Sequence, residues 1–265
     1  MIKNISIIGA GNLTTSILSA IDRVDNSYII DLIDIDKNKK SIAKKYNVNF
    51  SDIYSNNISK SDLIFLLVKP KEYKKVLKEI KQFELKKSIL VSFMAGITHD
   101  QIKDNLEENT AVIRCMTNLT IRNFESYIFY YSKSLDKKQT KIIEGFFSQF
   151  SKLKRCRIED EINKLTALYG SGPAYYVYFN KIIIESFIQM GYSKKDSKLY
   201  TDDLLKGSTK LIEKRNDSDK IIDEIASKGG TTEAALLEFK KNKINQILSK
   251  GIIRAYKKSK AILKK

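Results

Sequence analysis

The stretch NISIIGAGNLTTSILSAI, residues 4–21, decides the fold of this chain. Its first residues are apolar and mostly β-branched, which predicts a short buried strand over 5–8. A glycine turn follows at once, and apolar residues then recur at helical spacing over 13–21. A strand, a tight turn and a helix in this order form the first unit of a doubly wound parallel sheet.

The turn of this unit carries residue types that suit phosphate binding. Gly9 permits the sharp change of direction, and Gly11 has no Cβ that would block a pyrophosphate. Asn12 and Leu13 open the helix, where free backbone N–H groups attract an anion. Thr14 stands where a third small residue is usual, so the motif is incomplete and we expect a slightly displaced loop. The pattern predicts dinucleotide binding, with a turn used only for packing as the alternative.

The overall composition argues against a nucleic-acid or membrane protein. The 265 residues carry a formal net charge of +17. The lysines are spread along the whole chain and interleaved with acidic residues, as on solvated helix faces, so we expect no nucleic-acid partner. The charge does favour anionic small molecules. No apolar run is long enough to predict a membrane span.

The cysteine and histidine content indicates a reducing compartment. Cys115 and Cys156 are the two cysteines, and His99 is the single histidine. Without a C-x-x-C pair or a histidine cluster, we predict no metal site and a cytoplasmic location. The chain begins directly with a strand, so we expect no signal peptide. We expect His99 to be structural or solvent-exposed.

A second strand is predicted over 28–34, and it ends in an acidic residue. Asp34 lies about 20 residues after the glycine turn, where a carboxylate accepts hydrogen bonds from the adenosine ribose of NAD. Lys37, Lys39 and Lys40 follow, and lysines could instead bind the 2′-phosphate of NADP. A cap of the strand end is the alternative role for Asp34. The choice between NADH and NADPH is therefore open at the level of sequence.

Further strands are predicted over 62–68, 89–92, 111–115 and 126–131, followed by a helix over 136–150 and a short strand over 152–157. The carboxyl ends of parallel strands meet at one edge of the sheet, beside the ligand crevice. The residues expected at that edge are Val68, Lys69, Pro70, Ala95, Gly96 and Asn118.

After about residue 160, strand-like runs give way to helical periodicity, which predicts helices over 162–169, 174–190, 194–215, 218–227, 231–239 and 243–264. We therefore predict an α/β Rossmann-type dinucleotide-binding domain over 1–158 and an all-α dimerisation domain over 159–265. The helix predicted over 174–190 is apolar nearly all round and needs burial on every side. A small helical domain cannot supply that burial, so we predict an obligate homodimer built on the second domain.

Two glycine clusters interrupt the helical half, namely GSGPAY at 170–175 and SKGGTT at 227–232. Free N–H groups before a helix form a nest for a carboxylate, with Thr231 and Thr232 as capping hydroxyls. For either cluster by itself, an ordinary turn between helices is the alternative. Both clusters together, downstream of a dinucleotide-binding domain, favour a substrate site.

These residues resemble the pyrroline-5-carboxylate reductase family. The matching segments lie in the family's order over nearly the full length: GAGNL at 9–13, VKP at 68–70, AGI at 95–97, RCMTN at 114–118, GSGPAY at 170–175 and GGTT at 229–232. The last two are the specific part. The resemblance implies reduction of 1-pyrroline-5-carboxylate to L-proline with NADPH or NADH, the last step of proline biosynthesis. It also implies homodimers that often assemble into larger rings such as decamers.

The resemblance assigns roles to individual residues. The nicotinamide end of the cofactor would lie near Lys69, Pro70, Ala95, Gly96 and Asn118. The substrate carboxylate would bind backbone amides at Gly229, Gly230, Thr231 and Thr232, with the helical domain supplied by the partner subunit. The hydroxyl of Thr232 would meet the ring nitrogen, with Ser171 as a second hydrogen-bond donor. A cyclic imine is protonated in water, so the protein contributes orientation and electrostatics rather than a strong acid.

Three departures from the family pattern stand beside two alternative functions. Thr14 replaces a small residue, and Leu119-Thr120 replaces a Thr-Pro pair. Lys228 replaces a proline, which loosens the loop at 227–232. One alternative is a related imine or 3-hydroxyacid reductase. Those enzymes usually carry a catalytic lysine at the position where this chain has Tyr178. The other is a non-catalytic dinucleotide-binding protein, for which the positive charge is the support.

Overall fold

The computed structural model describes residues 2–24, 27–215 and 217–262, which form two compact units. The first unit comprises Met1–Ser171 together with Ala255–Lys265, and the second comprises Gly172–Arg254. The chain thus returns to the first unit at its C-terminus, which the sequence did not indicate. The domain boundary between 158 and 159 stays a prediction.

Within the described residues, the first unit is built on one eight-stranded sheet in the order β3-β2-β1-β4-β5-β6-β7-β8. The strands are β1 Asn4–Ile8, β2 Ile29–Ile33, β3 Asn49–Ser51, β4 Leu63–Leu66, β5 Ile89–Ser92, β6 Ala111–Met116, β7 Tyr127–Tyr131 and β8 Lys152–Arg155. The first six run parallel, β7 is antiparallel to β6, and β8 is parallel to β7. The strand order reverses between β1 and β4, which is where such sheets bind ligands.

Helices cover both faces of this sheet. They are α1 Asn12–Asp22, α2 Lys40–Lys45, α3 Tyr73–Ile80, α4 His99–Lys103, α5 Lys137–Phe147 and α6 Asp160–Leu165. Short 3₁₀ turns lie at Lys37–Lys39, Ile58–Lys60, Pro70–Glu72 and Leu119–Asn123, and a π turn lies at Thr166–Gly170. Every residue of β4, β5 and β6 is buried, because these central strands are covered on both faces. The predicted doubly wound α/β domain is thereby confirmed.

The second unit is helical, as predicted, but it has almost no core of its own. It contains α7 Gly172–Gln189, α8 Lys194–Arg215, α9 Ser218–Ile225, α10 Thr231–Lys241 and most of α11 Ile244–Lys260. Among its described residues, Ile221 is the one apolar side chain that is buried. No residue of α7 is buried, and Tyr176 is 74% exposed. A unit that exposes so much apolar surface needs a partner to be stable.

Candidate cofactor and substrate sites

The turn between β1 and α1 requires glycine at its first position. Gly9 has a φ of +102°, and a Cβ there would lie 2.7 Å from the carbonyl oxygen of Leu67. Its N–H donates to the carbonyl of Ile33 at 2.8 Å, which joins the ends of β1 and β2. Gly9 therefore lets three strands converge at one edge of the sheet.

The start of α1 is open toward solvent. Gly11 is the N-cap residue and provides no side-chain cap, and a Cβ built on it would meet nothing within 4 Å. The first amides of the eleven-residue α1 therefore have neither an intrahelical partner nor a capping side chain. Open space in front of free amides is the geometry that a pyrophosphate requires, so the turn fits a dinucleotide.

Thr14, the departure in the glycine motif, takes a structural role in the turn. Its side chain is fully buried, and its hydroxyl donates to the carbonyl of Gly9 at 2.5 Å. Because this bond joins the first turn of α1 to the residue after β1, the threonine fastens the phosphate loop. A glycine or alanine at this position would lack that bond.

Asp34 is held at the end of β2 by two backbone groups. Its Oδ2 accepts the N–H of Ala10 at 2.7 Å, and its Oδ1 accepts the N–H of Asp36 at 2.9 Å. The two roles considered for Asp34 are thus compatible, since a carboxylate that caps local amides keeps further lone pairs for a ligand.

A cavity of about 150 Å³ opens beside this carboxylate. Gly9, Asp34, Tyr54 and Val68 lie among its lining residues, together with residues of α3. Burial raises the pKa of the Tyr54 phenol, and the nearby carboxylates of Glu79 and Asp34 raise it further. The phenol is therefore neutral at physiological pH, so the cavity offers an uncharged aromatic wall.

The segments after β4 and β5 have well-defined local structure. Lys69 is the extended N-cap of a 3₁₀ turn, and Pro70 occupies its first position, where a missing N–H costs nothing. Ala95 precedes Gly96, which has a φ of +73°. A Cβ on Gly96 would lie 2.4 Å from the carbonyl oxygen of Ser259, because the end of α11 packs on this loop. Sequence reasoning missed this contact.

Both polar atoms of the Asn118 side chain make hydrogen bonds within the first unit. Its Oδ1 accepts from the backbone and hydroxyl of Thr120, at 2.8 and 2.7 Å, and its Nδ2 donates to the carbonyl of Tyr169 at 3.1 Å. It joins the end of β6 to the π turn. Its predicted contact with the cofactor stays a prediction.

The glycine loop before α10 leaves two of its amides free. The N–H of Gly229 donates to Oε2 of Glu233 at 2.6 Å, and the N–H of Gly230 donates to the carbonyl of Ser227 at 2.9 Å. Thr231 and Thr232 are the first residues of α10, which has no side-chain cap, so their amides point out of the helix start. Of the four residues predicted to bind a carboxylate, these two have available amides.

Ser171, the second predicted hydrogen-bond donor, belongs to the first unit. Its hydroxyl donates to the carbonyl of Thr166 at 3.1 Å, and its backbone N–H donates to the same oxygen at 3.1 Å. The proton that would serve a substrate is therefore used to close the π turn. This geometry favours Thr232 over Ser171 as the donor to a ligand.

His99 is structural, and it is buried rather than exposed. Its Nδ1 lies 3.3 Å from Asp100 and its Nε2 lies 3.2 Å from the hydroxyl of Ser134. In residues 2–24, 27–215 and 217–262, no group of His, Cys, Asp and Glu side chains is arranged to hold a metal ion. No helix in these ranges is long and apolar enough to cross a membrane.

A mostly parallel sheet with a glycine turn at its strand-order reversal, followed by a helical unit, defines a Rossmann-type dinucleotide-binding protein. The family model for pyrroline-5-carboxylate reductase dimerisation matches residues 159–262, and that for the coenzyme F420-dependent NADP oxidoreductase matches residues 4–96. The chain is 30% identical over 234 residues to a pyrroline-5-carboxylate reductase of Staphylococcus aureus, covering 86% of each chain. The chain belongs to the pyrroline-5-carboxylate reductase family.

Solved structures of the same name share the whole fold. The pyrroline carboxylate reductase of Plasmodium falciparum, solved with NADP bound, has a TM-score of 0.88 at 23% identity, covering 98% of this chain and 97% of that one. The enzyme of Streptococcus pyogenes has a TM-score of 0.87 at 22% identity, covering 97% and 98%. At these identities the likeness establishes the fold.

Proposed function

We propose that this protein reduces 1-pyrroline-5-carboxylate to L-proline with NADH or NADPH. The observation that carries the proposal is the intact phosphate turn at Gly9 and Gly11 in a chain that belongs to this reductase family. Together these features call for a reduced nicotinamide cofactor and a cyclic imine as its hydride acceptor.

The residues of the first unit would bind and orient the cofactor. The amides that follow Gly11 would hold the pyrophosphate, and the Asp34 carboxylate would receive the ribose hydroxyls. Lys69, Ala95 and the backbone of Gly96 would border the nicotinamide. The bound cofactor supplies the hydride.

The residues of the second unit would bind the substrate. The free amides of Thr231 and Thr232 at the start of α10 would hold the carboxylate, since a helix N-terminus stabilises an anion. The Thr232 hydroxyl would meet the ring nitrogen. Because the imine takes its proton from water, these groups need only fix the ring and its charge.

Self-association follows from the dimerisation segment and from the exposed apolar surface of α7. We propose that the partner subunit supplies the helical unit of each site, that dimers assemble into a ring such as a decamer, and that the enzyme works in the cytoplasm. The molar mass in solution, measured by light scattering, tests the assembly.

Oxidation of NADH and of NADPH, compared side by side with 1-pyrroline-5-carboxylate as substrate, tests the activity. Formation of L-proline in equal amount to the oxidised cofactor is expected. The ring without its carboxylate, 1-pyrroline, is the control and should react far more weakly, because it cannot use the α10 amides. Turnover of a 3-hydroxyacid in place of the imine would overturn the proposal.

A further inference from the structure

We infer that the ribose end of the cofactor site discriminates against a 2′-phosphate, so that this enzyme uses NADH in preference to NADPH. The inference rests on the proposed function, because it concerns the cofactor of the same reaction. It goes beyond that proposal by choosing between two cofactors that differ in a single phosphate group.

Hydrogen bonds fix the orientation of the Asp34 carboxylate. With Ala10 N–H on Oδ2 and Asp36 N–H on Oδ1, the carboxylate cannot rotate away from the phosphate turn without losing two hydrogen bonds. The lone pairs that remain suit the 2′- and 3′-hydroxyls of an unmodified ribose, which are donors. A 2′-phosphate is almost fully ionised at neutral pH, offers acceptors only, and would meet this carboxylate with like charge.

The adjoining cavity is lined mainly by acidic groups among its charged residues. Its lining residues include four carboxylates and one ammonium group, namely Asp34, Asp52, Glu72, Glu79 and Lys75. A cavity of this composition repels an added dianion and accepts the exocyclic amino group of an adenine, which is a donor. Asp52 and Glu72 pair with Lys37 and Lys71, which lie outside the lining. Asp34 and Glu79, set against Lys75, therefore leave a net negative charge beside the ribose, although the chain as a whole is strongly positive.

Two nearby lysines already have acidic partners. Lys37 Nζ lies 3.2 Å from Asp52, and Lys39 Nζ lies 3.9 Å from Asp36. Binding a phosphate with either lysine would break an existing ion pair, which offsets about 0–1 kcal/mol of the gain because both pairs are solvent-exposed. The first helix residue, Lys40, is the remaining cation of this segment. Two lysines of the run that kept NADPH open in the sequence are thus already paired in the structure.

Equilibrium binding of NADH and NADPH to the full-length protein, followed by the fluorescence of the reduced nicotinamide, tests the preference. At low ionic strength we expect NADH to bind at least about tenfold more tightly, about 1.4 kcal/mol. Raising the ionic strength from about 0.01 M to about 0.15 M should narrow the gap, because the Debye length falls from about 30 Å to about 8 Å. Equal or tighter binding of NADPH would overturn the inference.

Adenosine fragments repeat the comparison without the nicotinamide. Adenosine 5′-phosphate should compete with NADH more strongly than adenosine 2′,5′-bisphosphate, and the reverse order would contradict the assignment. This arm needs no variant and no substrate. If NADPH binds and turns over better than NADH, the proposed reductase activity stands and the preference is wrong. If neither dinucleotide binds, the proposed function fails and the preference fails with it.

Asp34→Asn tests whether the discrimination against the 2′-phosphate comes from this one carboxylate. The amide oxygen keeps an acceptor for Ala10, the NH2 group gives up the bond to Asp36, and the charge is removed. The ratio of NADPH to NADH affinity should therefore rise at least about fivefold. Asp31→Asn is the matched control, because Asp31 lies in the middle of β2, where it accepts a hydrogen bond from Asn49 at 2.9 Å. It loses the same charge on the same strand and should leave the ratio unchanged. An equal rise in both variants would exclude Asp34 as the selective group.

Discussion

The guanidinium of Arg114 lies 2.6 Å from the carboxylate of Glu159, and it is the most deeply buried cation of the first unit at 1% exposure. The same carboxylate oxygen accepts the backbone N–H of His99 at 2.5 Å. Burial lowers the pKa of Arg114, and the hydrogen bond with Glu159 opposes that shift. Glu159, the residue before α6, thus holds both β6 and the start of α4.

We expect Glu159→Gln to lower the free energy of unfolding by about 3–5 kcal/mol, because it leaves the Arg114 charge buried without its counter-ion. Urea unfolding followed by circular dichroism measures the change. Asp202→Asn is the control, since it breaks an exposed pair with Lys198 on α8 and should cost at most about 0.5 kcal/mol. Similar losses in both variants would show that the burial of Arg114 does not increase the contribution of its ion pair to the free energy of unfolding.

His99 should make stability depend on pH in a range where no other side chain ordinarily titrates. Burial lowers its pKa, so the unfolded chain takes up a proton at a higher pH than the native chain does. Stability is therefore complete above about pH 6.5 and declines as the pH falls below it, by at most about 1.4 kcal/mol per pH unit.

Urea unfolding at several pH values and one protein concentration measures this slope. His99→Gln should flatten the curve between about pH 7 and pH 5 while keeping a side chain that can hydrogen-bond. An unchanged slope in the variant would show that other groups are responsible. The carboxylates of Asp100 and Asp160 act only at lower pH, because hydrogen bonds with Lys133 and Tyr256, respectively, lower their pKa values.

Gly96 and Gly145 offer a pair of glycine-to-alanine changes with opposite expected signs. Gly96→Ala should destabilise the first unit by at least about 1–3 kcal/mol, since φ is +73° and a Cβ would lie 2.4 Å from the Ser259 carbonyl. Gly145 lies inside α5, and a Cβ there meets nothing within 4 Å, so Gly145→Ala should stabilise by about 0.5–1 kcal/mol. Thermal unfolding of both variants gives the signs, and destabilisation by both would contradict this account.

The sequence predicted elements best where one residue pattern persists without competition. The bounds of β5 and α8 were predicted to the residue, the first from an apolar run and the second from long helical periodicity. β3 was missed, because three residues with little apolar character become a strand only by pairing with β2. The helix predicted over 162–169 ends as a π turn. The last residue of this turn, Gly170, lies against Met116 at the end of β6.

In the candidate site, too, features with a local sequence signal were predicted and contacts between distant residues were missed. The glycine turn and Asp34 were found because their spacing is a local signal. The contact of Ser259 with Gly96, and the pairing of Arg114 with Glu159, join residues far apart in the chain, so no local pattern reports them. A single arginine within the otherwise apolar β6 was nevertheless a usable signal, because a buried charge requires a partner.

Thr232 and Ser171 can be separated by activity measurements. Thr232→Ala should lower kcat/KM by about 10- to 100-fold, as expected for the loss of one or two hydrogen bonds made to the reacting ring. Ser171→Ala should lower it by less than about threefold, because that hydroxyl donates to Thr166 within the π turn. Unchanged kcat/KM in Thr232→Ala would remove this hydroxyl from the mechanism. Thr232→Ser, which keeps the hydroxyl, should restore most of the activity.

Glu233 places a negative charge beside the loop proposed to bind the substrate carboxylate. Its Oε2 accepts the N–H of Gly229 at 2.6 Å, and Glu233 lies in the same first turn of α10 as the free amides of Thr231 and Thr232. Glu233→Gln keeps an acceptor for Gly229 and removes the charge, so KM for the anionic substrate should fall by about two- to fivefold with little change in kcat. Glu238→Gln, further along α10 and paired with Lys241, is the charge-matched control and should leave KM unchanged. A rise in KM for Glu233→Gln would instead mean that the charged cap on Gly229 is needed to hold the loop in its binding geometry.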